Sequence, residues 1–261
     1  MSLWQKGWFR LFRRRPEHEV RIDSTAELAV GDGAALAGSR IQLGRNAVLR
    51  IGRGCVVRAV VTVHDGCEVV LGEGCHVVNA TLTVRQSSRV RLGEGARIAP
   101  PERFPVEVEV DRGTLEIGAR AWVQSDLLVR FGGHMTIGDY AGIGYGGDIR
   151  CEERVSIGDY ALISYEACIY DTNTHSTDWR KRRETIERMR VSGVGEVEKP
   201  DTRPVRIGND AWIGRGAVVL KGSRIGDRSI IGIHTVVSGE FPADTTLVST
   251  PPRVISRLER S

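Results

Sequence analysis

The stretch from Ile169 to Arg182, IYDTNTHSTDWRKR, gathers one imidazole, two carboxylates, a carboxamide and three cations within fourteen residues. His175 stands at its centre. An unperturbed imidazole titrates at about 6.5, so a neutral ring can remove the proton from a hydroxyl as that oxygen attacks an electrophile. If the segment is extended, Asp171, Asn173 and His175 point to one side, where Asp171 or Asn173 would orient the ring or hold an acceptor. Asp178 and Arg182, four residues apart, suit a helical turn as well as a substrate contact.

Other chemistry is less well supplied. The six histidines, His18, His64, His76, His134, His175 and His234, show no HxxxxH spacing, whereas a catalytic zinc site needs three imidazoles converging on the metal and an open position for water. No metal is expected. The five cysteines are odd in number, lack any CxxC pair, and follow no secretory signal, which reads as reduced thiols in a cytoplasmic protein. Cys55 and Cys75 fall at small-residue slots and read as core packing.

The elements that must position His175 are set by a repeat. From Ile207 an aliphatic side chain recurs at every sixth residue, through Ile213, Val219, Ile225, Ile231 and Val237. Glycine often follows it, and the fourth residue after it is small: Ala211, Ala217, Ser223, Ser229, Thr235. The same beat runs upstream through Ile117, Val123, Val129, then Ile137, Ile143, Ile149, Val155, then Ile157, Ile163, Ile169. Gly118, Gly138 and Gly158 are spaced by 20, the mark of an 18-residue, three-sided coil with two extra residues at one corner. Looser fragments carry the coils back to about residue 20. Each face is then a short strand with its aliphatic inward, and coil pairs with coil in parallel. The beat stops at residues 171–204, a long polar stretch containing Trp179, Ile186, Met189 and Val191, which predicts a projecting loop with a short helix that folds over a neighbour.

On these residues the chain resembles the hexapeptide-repeat acyltransferases, in particular the galactoside, maltose and polysaccharide O-acetyltransferases. The loop His175 with Asp178 and Arg182 three and seven residues on, followed by PVRIGNDAWIGRGAVVLKGSRIGD from Pro204, carries the resemblance. It implies an all-β, left-handed parallel β-helix and transfer of an acetyl group from acetyl-CoA to a carbohydrate hydroxyl, with His175 as general base in a direct-transfer ternary complex. It further implies a homotrimer with sites between subunits. Asp171 would assist His175, while Asn173, Asp178, Arg182 and Trp212 would bind the acceptor. Trp212, Gly214, Gly232, Ser238 and Arg253 would line the coenzyme A groove, Arg253 meeting its phosphates. Departures from the family pattern lie at Ser176, where relatives have proline, and at Gly239, where they have lysine. N-acetylation of an amino sugar and a noncatalytic β-helix scaffold remain as alternatives.

Composition fills in the rest. The chain has 261 residues, of which 41% are hydrophobic and 27% charged. That balance excludes wholesale disorder. Lys6, Arg10, Arg13, Arg14 and Arg15 put five charges into residues 1–15, out of a net +4, so nucleic acid is not an expected partner of the body. With Trp4, Trp8, Leu11 and Phe12 on one helical side, residues 1–18 read as a basic amphipathic helix that either touches an anionic membrane surface from the cytoplasmic side or caps the coils. Residues 19–255 then form the β-helix domain with the 171–204 insertion, and 256–261 a tail. Charged residues or glycine interrupt every aliphatic stretch, so no apolar run is long enough for a membrane span.

Overall fold

The computed structural model describes residues 19–193, 195 and 197–249. The amphipathic segment 1–18, Arg253 and the tail 256–261 lie outside the described residues. Those described form a parallel β-solenoid of 27 short strands and one helix, α1 (Trp179–Ser192). As the repeat predicts, the solenoid has three faces. The first is a ten-stranded sheet that climbs from Glu27–Val30 to Glu240–Phe241. The second and third share one seventeen-stranded sheet, because Val56–Val63 and His76–Arg85 run on through the corner between them. Later coils break there, as in Trp122–Val123 on the second face and Asp126–Val129 on the third.

Strands alternate exposed and buried residues, and the six-residue beat supplies the buried ones. Leu127, Ile149, Ile169, Val219 and Val237 stack as fully buried side chains on the third face. Cys55 and Cys75 sit in the same core, each thiol donating to a carbonyl of the next coil, Gly72 and Gly93, at 3.0 Å.

The corner between the first and second faces explains the Gly-Asp and Gly-Asn pairs. A Cβ on Gly158 would come within 2.6 Å of the Asn209 nitrogen one coil away, so only glycine permits the stacking distance. The residue after each glycine caps the coil below. Asp139, Asp159, Asn209 and Asp227 accept the backbone N–H of Ala119, Asp139, Asp159 and Asn209 at 2.7 to 2.9 Å.

Coil length varies without disturbing register. Ile117, Ile137 and Ile157 pair in line from coil to coil, Ile157 pairs with Ile207 across the whole excursion, and Ile207 pairs with Ile225 in the coil after. An earlier coil lets residues 99–105 out between the second and third faces, and from Ile137 onward the slack leaves at the corner between the third and first faces. That corner holds Arg130–Gly133 in one coil, Glu152 and Glu153 in the next, and the long excursion in the one after.

Candidate functional site

The excursion begins after Cys168–Tyr170 and returns at Val205–Ile207. Its two ends are zipped together: Thr172 and Thr202 form an antiparallel bridge, the Asn173 N–H donates to the Asp201 carbonyl at 3.1 Å, and the Arg203 N–H to the Asp171 carbonyl at 2.8 Å. The solenoid therefore continues above the insertion as if it were a short turn.

Beneath this root lies a buried polar corner. The Asp171 carboxylate is fully buried and accepts the backbone N–H groups of Glu152, Glu153 and Arg154 at 2.8, 2.7 and 2.7 Å. Burial pushes its carboxyl up while the three amides pull it down, and burial is the larger effect. Glu152, 1% exposed, pairs with Arg130 on one side and accepts the Thr172 hydroxyl at 2.8 Å on the other. The Thr202 hydroxyl donates to Glu153 at 2.6 Å. Just before the root, the Tyr170 hydroxyl donates to Asp148 at 2.7 Å, and burial pushes it up.

The expectation of an extended run from Asp171 to His175 is not met. Thr174 takes a left-handed φ of 62°, its N–H bonds the Thr172 hydroxyl, and the His175 N–H donates to the Asn173 carbonyl at 2.7 Å. A tight turn thus replaces the strand, because Asp171 and Thr172 are spent on the corner below. Asp171 turns into the coil; His175 is exposed on the loop and Asn173 half-buried.

Asp178 and Arg182 have intrachain work. Asp178 is the N-cap of α1, accepting the Arg180 N–H at 2.9 Å. The Arg182 guanidinium donates to the carbonyls of Ser176 and Thr177 at 2.9 and 2.8 Å and so ties the helix to the segment carrying His175. Gly193, with φ 69°, ends the helix in a left-handed cap. A hollow of about 140 Å³ lies under α1, lined in part by Ser176, Lys181, Thr185, Arg188 and Pro200.

The residues expected along a coenzyme A groove are spread over the coils. Trp212 projects from the second face, 47% exposed, with its indole N–H on the Ser164 hydroxyl at 3.1 Å. That face lies opposite the corner where the excursion is rooted, so one chain does not bring Trp212 to the root. Gly214 and Gly232 are accounted for by coil spacing, since a Cβ at either would meet the next coil at 2.7 and 3.0 Å. Ser238 is exposed at the corner where Leu220 and Tyr170 stand in the coils beneath, the same corner as the excursion.

Sequence reasoning missed Glu152, Arg130, Thr172 and Thr202. Arg130 and Glu152 follow Val129 and Cys151, which pair in register, so stacking the coils by their aliphatic beat would have set these opposite charges one above the other. Among the described residues no cluster of three or more His, Cys, Asp or Glu is arranged to hold a metal, and no helix is long and apolar enough to cross a membrane.

Residues 204–239 match the family described as bacterial transferase hexapeptide (six repeats). A 2,3,4,5-tetrahydropyridine-2,6-dicarboxylate N-acetyltransferase of Staphylococcus aureus (strain bovine RF122 / ET3-1) is 38% identical over 64 residues, 24% of this chain. The chain spans 27% of that relative's length. A hexapeptide-repeat-containing acetyltransferase of Vibrio cholerae O1 biovar eltor, solved with acetyl-coenzyme A, is 29% identical over 55% of this chain and 70% of its own, with a TM-score of 0.41. Galactoside acetyltransferase in complex with coenzyme A is 26% identical over 57% of this chain and 66% of its own, with a TM-score of 0.42. The chain thus carries the bacterial transferase hexapeptide repeat, and its last coils are built on it.

Proposed function

We propose that the protein transfers the acetyl group of acetyl-CoA to a carbohydrate hydroxyl, with His175 as general base. The observation that carries this reading is the excursion itself: an otherwise regular solenoid opens at one corner, locks the opening with a buried ion pair and hydrogen bonds, and presents an exposed imidazole on the far side. Such a construction fixes the root of the segment that carries the base and keeps that residue at the surface, where a hydroxyl can approach it. His175 accepts the hydroxyl proton as the oxygen bonds to the thioester carbonyl carbon. When the carbon–sulfur bond breaks, the departing thiolate takes that proton, so the ring returns to its starting state. Asp171 supports this by fixing the root, and Asn173 would meet the acceptor. The acetyltransferase among the sequence relatives agrees with an acetyl donor.

The site is completed by a second copy of the chain. Trp122, Leu162, Trp212 and Ile230 form an outward apolar stripe on the second face, away from the root. A homotrimer that sets this stripe against a neighbour's excursion would bring one subunit's Trp212 to a groove beside its neighbour's His175 and Ser238, with coenzyme A lying along it. Transfer to an amine is the second reading, favoured by the N-acetyltransferase among the similar proteins.

Thiol release from acetyl-CoA, measured against neutral, acidic and amino sugars with the parent protein and His175→Ala, tests both. Acceptor-dependent release that drops in the variant supports the enzyme, and the responding acceptor separates hydroxyl from amine. No release with any acceptor and no calorimetric binding of acetyl-CoA would leave a noncatalytic scaffold.

A further inference from the structure

The outer side of α1 is the feature left unexplained once Asp178 and Arg182 are assigned to the fold. Trp179 opens the helix with its side chain 50% exposed, and two guanidinium groups stack over its ring, Arg180 at 4.7 Å and Arg183 at 4.9 Å from the centroid. A guanidinium resting on an indole is held by its face, which leaves its N–H edge pointing away. Among the described residues those edges are little used. Arg183 makes no ion pair or side-chain hydrogen bond among the described residues, and Arg180 only approaches Asp178 at 4.0 Å. The other cations of the helix include three that are committed: Lys181 pairs with Glu198, Arg182 bonds two carbonyls and Arg188 bonds the Gly195 carbonyl. Of the helix acids, Glu184 lines the hollow on the inner side, and Glu187 forms no ion pair with Arg183 among the described residues.

We propose that Trp179, Arg180 and Arg183 form an acceptor subsite that recognises an oxyanion carried by the sugar, a carboxylate or a phosphate, so that the acceptor is an acidic saccharide. Each guanidinium edge matches such a group through two donors at once. The subsite is tied to the chemistry by Arg182, which locks the first turn of α1 to Ser176 and Thr177. Chain length alone keeps Trp179 within about 14 Å of His175. An anion held there positions the saccharide over the exposed imidazole. As a statement about the acceptor this rests on the acetyl-transfer reading; as a statement about binding it stands on the geometry of α1.

The test separates the two. Binding of trigalacturonate, galactose 6-phosphate and neutral trigalactose to the full chain is measured by calorimetry, alongside Arg180→Gln/Arg183→Gln and Arg183→Lys. The anionic sugars should bind about tenfold or more tightly than the neutral one. The double glutamine variant should abolish that preference, and Arg183→Lys, which keeps charge but loses the fork, should retain only part of it. Carboxylate or phosphate is decided by which anionic sugar binds tighter. Equal binding of the neutral sugar, or a preference that survives the double variant, overturns the proposal, as does a variant that weakens acetyl-CoA binding in place of sugar binding. Thiol release is followed in the same samples. An anion preference without release onto any acceptor removes the acetyl-transfer reading and keeps the subsite, whereas release onto neutral sugars without any preference removes the subsite and keeps the enzyme.

Discussion

The hydroxyl of Thr172 donates to Glu152 at 2.8 Å, and Glu152 in turn pairs with Arg130 one coil further down. Three successive coils thus hand a buried hydrogen-bonded chain to the first residues of the excursion. Removing one partner of a buried ion pair strands the other, at about 3–5 kcal/mol. Glu152→Ala should lose stability of that order in chemical denaturation, whereas Thr172→Val should lose only about 1 kcal/mol and show its effect as faster amide exchange around residues 172–176.

His175→Ala should lower kcat by about 10²- to 10⁴-fold, the range of a general base, with acetyl-CoA binding unchanged. Equal activity in the two proteins would put the base elsewhere.

Replacing residues 174–200 with two glycines should leave the solenoid folded, because the bridge between Thr172 and Thr202 already closes the ends and shortening a loop lowers its closure entropy. Circular dichroism and melting should match the parent, while acetyl transfer should be lost. Unfolding of the shortened chain would mean that the excursion helps to hold the coils.

Gly158 and Gly142 should respond differently to alanine. At Gly158 the new methyl meets backbone one coil away at 2.6 Å, whereas at Gly142 the nearest neighbour is the Leu162 side chain at 3.5 Å, an ordinary contact. The first clash should cost about 1–3 kcal/mol, as overpacking does, and the second substitution far less. Thermal denaturation of both variants checks the contrast.

The thiols should be inert in the folded protein. Burial raises Cys55, Cys67, Cys151 and Cys168, and it pushes Cys75 up to about 12, so that almost no reactive thiolate exists at pH 8. Iodoacetamide should label Cys55 and Cys75 only after denaturant is added, and all five cysteines then.

The solenoid was legible in the chain because its repeat is local. Each buried aliphatic is six residues from the next, each corner needs a small residue within the same six, and the 20-residue spacing of Gly118, Gly138 and Gly158 already shows two extra residues per coil. The break at residue 171 and the helix within it were readable for the same reason. What the tertiary structure alone decided is which side chains serve the fold and which are left over. Asp171 lies four residues from His175, yet its carboxylate belongs to the amides of Glu152, Glu153 and Arg154 in the coil below. Asp178 and Arg182 are absorbed by a cap and two carbonyls, while Arg180 and Arg183, alike in type, rest on the Trp179 ring, and Arg183 makes no ion pair among the described residues. Nothing in residue type or spacing separates these fates. They depend on contacts between groups brought together by stacking coils, where a buried carboxylate must find donors wherever the neighbouring coil offers them.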